Sequence, residues 1–115
     1  MKTFVTQLSA DLFETKLQIE EQLRKGDKTN EDLYKLLLKA IDFLKNGRKG
    51  QPIAKKLPMY SYFEQKYGVN NLFRIELSKS ARAFYTLTSE NDIEILQIIL
   101  EVHRTHKEYE RKGKY

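Results

Sequence analysis

At Asn71 the hydrophobic period of this chain changes from helical to extended, and that change limits the fold more than any other feature. Before it, apolar residues recur with helical spacing; after it, they alternate as in strands. Leu33, Leu36, Leu37, Ala40, Ile41 and Leu44 follow the i, i+3, i+4, i+7 pattern and mark one face of a helix. Phe73, Ile75 and Leu77 alternate with Arg74 and Glu76. Ala83, Tyr85 and Leu87 alternate with Arg82, Phe84 and Thr86. Each run reads as a strand with two unlike faces. Ile93 to Val102 is apolar almost throughout, as suits a strand inside a sheet. The turns Ser78-Lys79-Ser80 and Glu90-Asn91-Asp92 are too short for a helical crossover, so the three strands form an antiparallel meander.

The first half reads as helical. Thr3 to Gln7 predicts a short strand. Ser9 is placed to cap a helix running to about Lys25, with Leu12, Phe13, Leu17, Ile19 and Leu23 along one side. Gly26-Asp27-Lys28 is a turn, and Thr29 with Asp32 resembles a capping box for the second helix. Gly47 ends that helix, and Gly50 and Pro52 prevent its continuation. Lys55 to Pro58 reads as a linker, Met59 to Tyr67 as one or two helical turns closed by Gly68, and His103 to Arg111 as a short C-terminal helix.

The expectation is one α+β domain over residues 1–115. Its order is strand, helix, helix, then three strands: an antiparallel sheet of about four strands with the helical hairpin on one face. The opposite face, or its rim, is left for a ligand. A chain this short buries about two-thirds of its unfolded surface, so chemistry belongs in a shallow groove and not in the core.

The absence of cysteine excludes disulfides, thiolate nucleophiles and cysteine zinc sites, and fits an intracellular compartment. No apolar run approaches the roughly 20 residues of a membrane span. Met1 to Gln7 lacks the pattern of a signal peptide, so the expected location is the cytoplasm. His103 and His106 stand at helical spacing, but no acidic cluster accompanies them and zinc would want a third protein ligand. Neither a metal nor a cofactor is expected.

The net charge of +5 is unevenly spread. Residues 45–67 carry a net +5 and residues 103–115 a net +3, while the two remaining stretches are slightly acidic. Brought together, these segments would form a positive surface suited to a polyanion; scattered, they would only aid solubility. The chemically able residues after Asn71 are Arg, Lys, His, Tyr and Glu. That set permits RNA cleavage without metal: a base for the 2′-OH, cations for the charge on the phosphorane, an acid for the leaving 5′ oxygen.

A resemblance gives the set a direction. Leu72-Phe73-Arg74-Ile75-Glu76-Leu77 followed by Arg82-Ala83-Phe84-Tyr85-Thr86-Leu87 resembles the strand–turn–strand of RelE-superfamily toxins, with its RxxY element. His106-Lys107-Glu108-Tyr109-Glu110, ending in Gly113-Lys114-Tyr115, resembles the DHKxYE…GY ending of an archaeal-type branch. The resemblance is dense over residues 71–115 and architectural before them. It implies a metal-independent endoribonuclease that cleaves messenger RNA, in many such toxins on the ribosome. It also implies an acidic antitoxin as partner, with the toxin a monomer or part of a toxin–antitoxin hetero-oligomer.

Position by position, the resemblance implies that Arg82 binds the scissile phosphate, assisted by Arg74. It makes His106 and Tyr109 the tail residues for proton transfer or stacking, with Arg104 as a second cation. Lys55, Lys56, Lys79 and Lys107 would then meet the RNA backbone. Two residues depart from the pattern. Glu76 stands where some relatives have lysine; it is either the base or a partner for Arg74. Thr105 replaces the tail aspartate that would orient His106. Two other readings keep the fold and change the activity: a ParE-like toxin that inhibits DNA gyrase, and a catalytically inactive RNA-binding relative.

Overall fold

The computed structural model describes residues 3–89 and 91–105. The elements are β1 (Thr3–Leu8), α1 (Ala10–Arg24), α2 (Glu31–Lys45), β2 (Gln51–Pro52), α3 (Pro58–Tyr67), β3 (Phe73–Glu76), β4 (Arg82–Ser89) and β5 (Glu94–His103). The fold is α+β, and β3, β4 and β5 form the antiparallel meander that their alternation predicts. The sheet order is β1-β5-β4-β3-β2. It differs from the expected antiparallel sheet of about four strands in two ways. The short β2 adds a fifth strand beside β3, and β1 runs parallel to β5. The parallel pairing is possible because the chain between these strands is long, far beyond the dozen residues a crossover needs.

Local chemistry sets the helix ends. The Ser9 hydroxyl accepts from the Leu12 amide at 3.3 Å, as a cap should, and donates to the Leu100 carbonyl at 2.9 Å. The predicted capping box at Thr29 does not form. The Thr29 amide and hydroxyl both donate to Asp27 Oδ1, at 3.0 and 2.6 Å, so Asn30 takes the cap position without a side-chain bond. A short polar side chain offered a nearby carboxylate closes a local turn instead.

The stripe on α2 behaves as predicted: Leu37, Ala40 and Leu44 are buried. They meet Ile75, Leu77, Ala83, Tyr85 and Ile99 in the first core. Burial of each large apolar side chain is worth about 1.5–3 kcal/mol. On α1 the buried face is narrower. Leu12 and Ile19 enter the core, whereas Phe13 and Leu17 are 51% and 45% exposed.

A second core lies on the opposite face, which therefore is not free. Pro58 opens α3 and Gly68, at φ 68°, closes it. Met59, Tyr60 and Phe63 pack on Leu72, Phe84 and Leu100. The rings of Phe63 and Phe84 are 4.9 Å apart. The sheet is thus a middle layer between the helical hairpin and α3.

Strand β5 changes register once. Phe84 pairs with Glu101 but Tyr85 pairs with Ile99, which leaves Leu100 as the extra residue of a bulge. Its carbonyl accepts from the Ser9 hydroxyl and, at 3.4 Å, from the Tyr67 hydroxyl. The bulge turns Leu100 and Glu101 both toward α3, and Val102 back to the first core. His103 ends this strand and does not begin a helix; residues 106–115, where the rest of that helix is expected, lie outside the described residues.

Candidate active site

The meander places charged side chains in two rows across the face that carries α3. Glu76, Arg82 and His103 are register partners across β3, β4 and β5; Arg74, Phe84 and Glu101 form the neighbouring row. Directly opposed side chains in such a sheet have Cβ atoms about 5 Å apart. Arg82 and Glu76 do form an ion pair, Nη2 to Oε1, at 3.8 Å. The expected alternative, Glu76 with Arg74, is not the pairing seen. Arg74 instead donates from Nη2 to Gln51 Oε1 at 3.1 Å.

The adjacent turn anchors Arg82. Its Nη1 donates to the Ser78 and Ala81 carbonyls at 2.9 and 3.1 Å. This fixes the guanidinium plane at the mouth of the β3–β4 turn, where Lys79 is exposed. Glu76 is the more open member of the pair: its side chain is 56% exposed, that of Arg82 15%. A fixed cation beside an accessible carboxylate can hold a phosphate and accept a proton.

Where these rows meet α3 lies a polar cluster that sequence reasoning missed. Glu101 is buried on β5. Its Oε1 accepts from His103 Nε2 at 2.7 Å. Its Oε2 accepts from Tyr62 at 2.6 Å, Tyr67 at 2.7 Å and Lys66 at 3.1 Å. A carboxylate can only accept, so His103 donates from Nε2. Burial, with the bond to Glu101, holds the Tyr67 phenol well above the usual tyrosine range. Burial alone would lower Lys66, but its bonds to Glu101 and Tyr62 outweigh that and hold it above the usual lysine range. The cluster ties α3 to the sheet through one carboxylate, a heavily satisfied arrangement for a buried charge. The signal for it was Glu101 and His103 flanking Val102 at the end of an otherwise apolar strand.

The other expected residues divide into three groups. Lys55 and Lys56 are exposed in the loop that leads into α3. Arg104 approaches Asp32 of α2, Nη1 to Oδ1 at 3.6 Å, and so turns toward the hairpin. His106, Lys107 and Tyr109 lie outside the described residues. Tyr85 is core, as its alternation predicts, and stacks on Phe73 with ring centroids 5.2 Å apart. Among the described residues, no three His, Asp or Glu side chains gather as metal ligands. No helix among them is long and apolar enough to cross a membrane. Compared with protein families, with curated proteins and with solved structures, the chain matches none.

Proposed function

We propose that the chain is a metal-independent endoribonuclease of the RelE-like toxin type, acting on messenger RNA in the cytoplasm and restrained by an acidic partner protein. The observation that carries this reading is the Glu76–Arg82 pair, an anchored guanidinium beside an open carboxylate on one sheet face. Arg82 neutralises the phosphate and the charge that builds on it. Glu76 takes the 2′-OH proton, the 2′ oxygen attacks phosphorus, and the 5′ oxygen leaves with a proton from an acid. His106 and Tyr109 are the candidates for that acid. Arg74 and Lys79 extend the positive surface along the RNA.

The test is to add purified protein to a ribosome-containing translation extract and map new RNA ends. Cut messages and stalled translation are the expected result. Full cleavage by an Arg82→Ala, His106→Ala double variant would overturn the site. A second reading has its own support: Nη1 of Arg82 already bonds two carbonyls, which suits an arginine that binds RNA without cleaving it. That protein would retain RNA and generate no new ends. Inhibition in a DNA supercoiling assay, with RNA left intact, would move the assignment to a gyrase inhibitor.

A further inference from the structure

We infer that the cavity at the end of α2 is a binding site for a nucleotide unit, one flat base with its phosphate, on the face of the sheet opposite Glu76 and Arg82. The cavity measures about 820 Å³, within the usual range for a small-molecule site. It crosses the sheet from Phe4 on β1, past Ile95 and Leu87, to Phe73 and Tyr85. That path covers three inter-strand spacings of about 4.8 Å, or about 14 Å in all, room for a base, a sugar and a phosphate end to end. The Gly50 amide donates to the Tyr85 hydroxyl at 2.8 Å, which pins the loop after α2 beside the cavity. The wall on that side is therefore fixed before a ligand arrives.

Three features of the lining select the ligand. The first is aromatic. Phe73 and Tyr85 stack with ring centroids 5.2 Å apart, Phe73 is only half-buried, and Phe4 is 52% exposed at the far end. Such rings offer stacking faces to any base. The second is Gln97, which is 6% exposed and lines the cavity. Thr6 Oγ1 donates to its Oε1 at 3.3 Å, and among the described residues its Nε2 has no partner. A buried amide with a free donor is costly, and a carbonyl or ring nitrogen on the edge of a base would satisfy it. A hydroxyl can donate or accept, so either orientation of the amide leaves one end for the ligand. The third is charge. Lys45, Arg48 and Lys49 line the cavity, all exposed, and no carboxylate does so among the described residues. The C-terminal end of α2 adds about half a negative charge against these three cations, so the mouth stays positive. A fatty acid would meet the cations but leave the Gln97 donor unsatisfied. A base with its phosphate uses all three features.

A free mononucleotide and a nucleotide within an RNA strand share this chemistry. Neither needs Glu76 or Arg82, so the site stands without the endoribonuclease reading.

The probes are the common ribonucleoside 5′-monophosphates, their nucleosides and ribose 5-phosphate, titrated into the full chain. Binding is followed by calorimetry and by NMR shifts of the Gln97 side-chain amide. At least one mononucleotide should bind one to one, shift that amide and the Phe73 ring, and bind at least about tenfold more tightly than its nucleoside or ribose 5-phosphate. The Lys45→Glu, Lys49→Glu variant, altered at exposed sites, should bind it at least about tenfold more weakly. Gln97→Leu should weaken it by a similar factor; its urea midpoint shows whether it folds, and the charge reversal decides if it does not. Arg82→Ala should bind as the wild type does. An RNA oligonucleotide without a terminal phosphate then names the source. If it displaces the mononucleotide, the site takes a strand; if it does not, the site takes the free nucleotide. Nucleotide binding without RNA cleavage would sink the endoribonuclease reading alone. The inference is overturned if neither a mononucleotide nor the oligonucleotide shifts Gln97, if a nucleoside binds as tightly as its nucleotide, if the charge reversal leaves affinity unchanged, or if the shifts are confined to the α3 face.

Discussion

His103 donates to Glu101 across a single residue of β5, at 2.7 Å, and the bulge at Leu100 turns both side chains toward α3. Glu101→Ala removes the acceptor that His103, Tyr62, Tyr67 and Lys66 share. The loss should be about 3 kcal/mol, typical of breaking a buried charged pair. Glu101→Gln keeps the shape and one acceptor and should lose clearly less. Urea unfolding of the three proteins measures the difference, and equal midpoints for Ala and wild type would refute a clamping role.

Stability should fall at alkaline pH. The folded state holds the Tyr67 phenol above its ordinary value of 10.0 and Lys66 above 10.5. The Tyr85 phenol is also raised, by burial. Each group is worth its full contribution below its unfolded value. Above that value the unfolded chain releases its proton first, and stability drops as pH rises. Tyr67→Phe should remove one proton's worth of this slope between pH 10 and 11, a window set by those ordinary values. Urea midpoints across that range would show it; an unchanged slope would contradict the assignment.

On the proposed endoribonuclease reading, Arg82→Ala should lower the RNA cleavage rate about 100-fold or more. Arg82→Lys should recover little, since a single ammonium nitrogen cannot stand both where Nη1 bonds the Ser78 and Ala81 carbonyls and where Nη2 faces Glu76. Glu76→Gln should cost a similar factor and flatten the acid limb of the pH–rate profile, because a base has been removed. If the rate falls but the limb keeps its shape, Glu76 only holds Arg82.

Gly50→Ala should destabilise the fold by about 2 kcal/mol, as overpacking does. A Cβ there would lie 2.4 Å from the Arg74 carbonyl oxygen and 2.9 Å from the Tyr85 ring. Tyr85 would also lose its place as acceptor from the Gly50 amide, now 2.8 Å away. A lower urea midpoint checks it.

Ser9→Ala should cost about 1 kcal/mol for the lost cap. It should also raise hydrogen exchange near Leu100, whose bulged carbonyl loses a donor. Exchange raised only within α1 would separate the cap from the bulge.

The helices and the meander were legible because each is written in a local period. The stripe from Leu33 to Leu44 and the alternation around Ile75 and Tyr85 need no distant partner to be read. The place of β1 was not legible, since its register with β5 depends on residues across the whole chain. Met59 to Tyr67 was readable as a helix but not as a second layer, although Phe84, between Arg82 and Thr86, was the clue that the outer face is covered. The bulge was hidden because β5 is apolar on both sides, so a shift of one residue leaves no mark in its pattern. Of the candidate site, the sequence pattern placed Arg74 and Glu76 on one face and Arg82 on its neighbour. It could not say that Glu76 would pair with Arg82 and leave Arg74 to Gln51.

The position of β5 between β1 and β4 sets an order of assembly. A ribosome makes β5 after every other described strand, yet both cores and the Glu101 clamp depend on it. A nascent chain that has emerged only as far as β4 holds three helices and a hairpin with nothing to close them. Contacts of such long sequence separation form late. The row that joins Glu76, Arg82 and His103 therefore cannot exist until translation has passed His103.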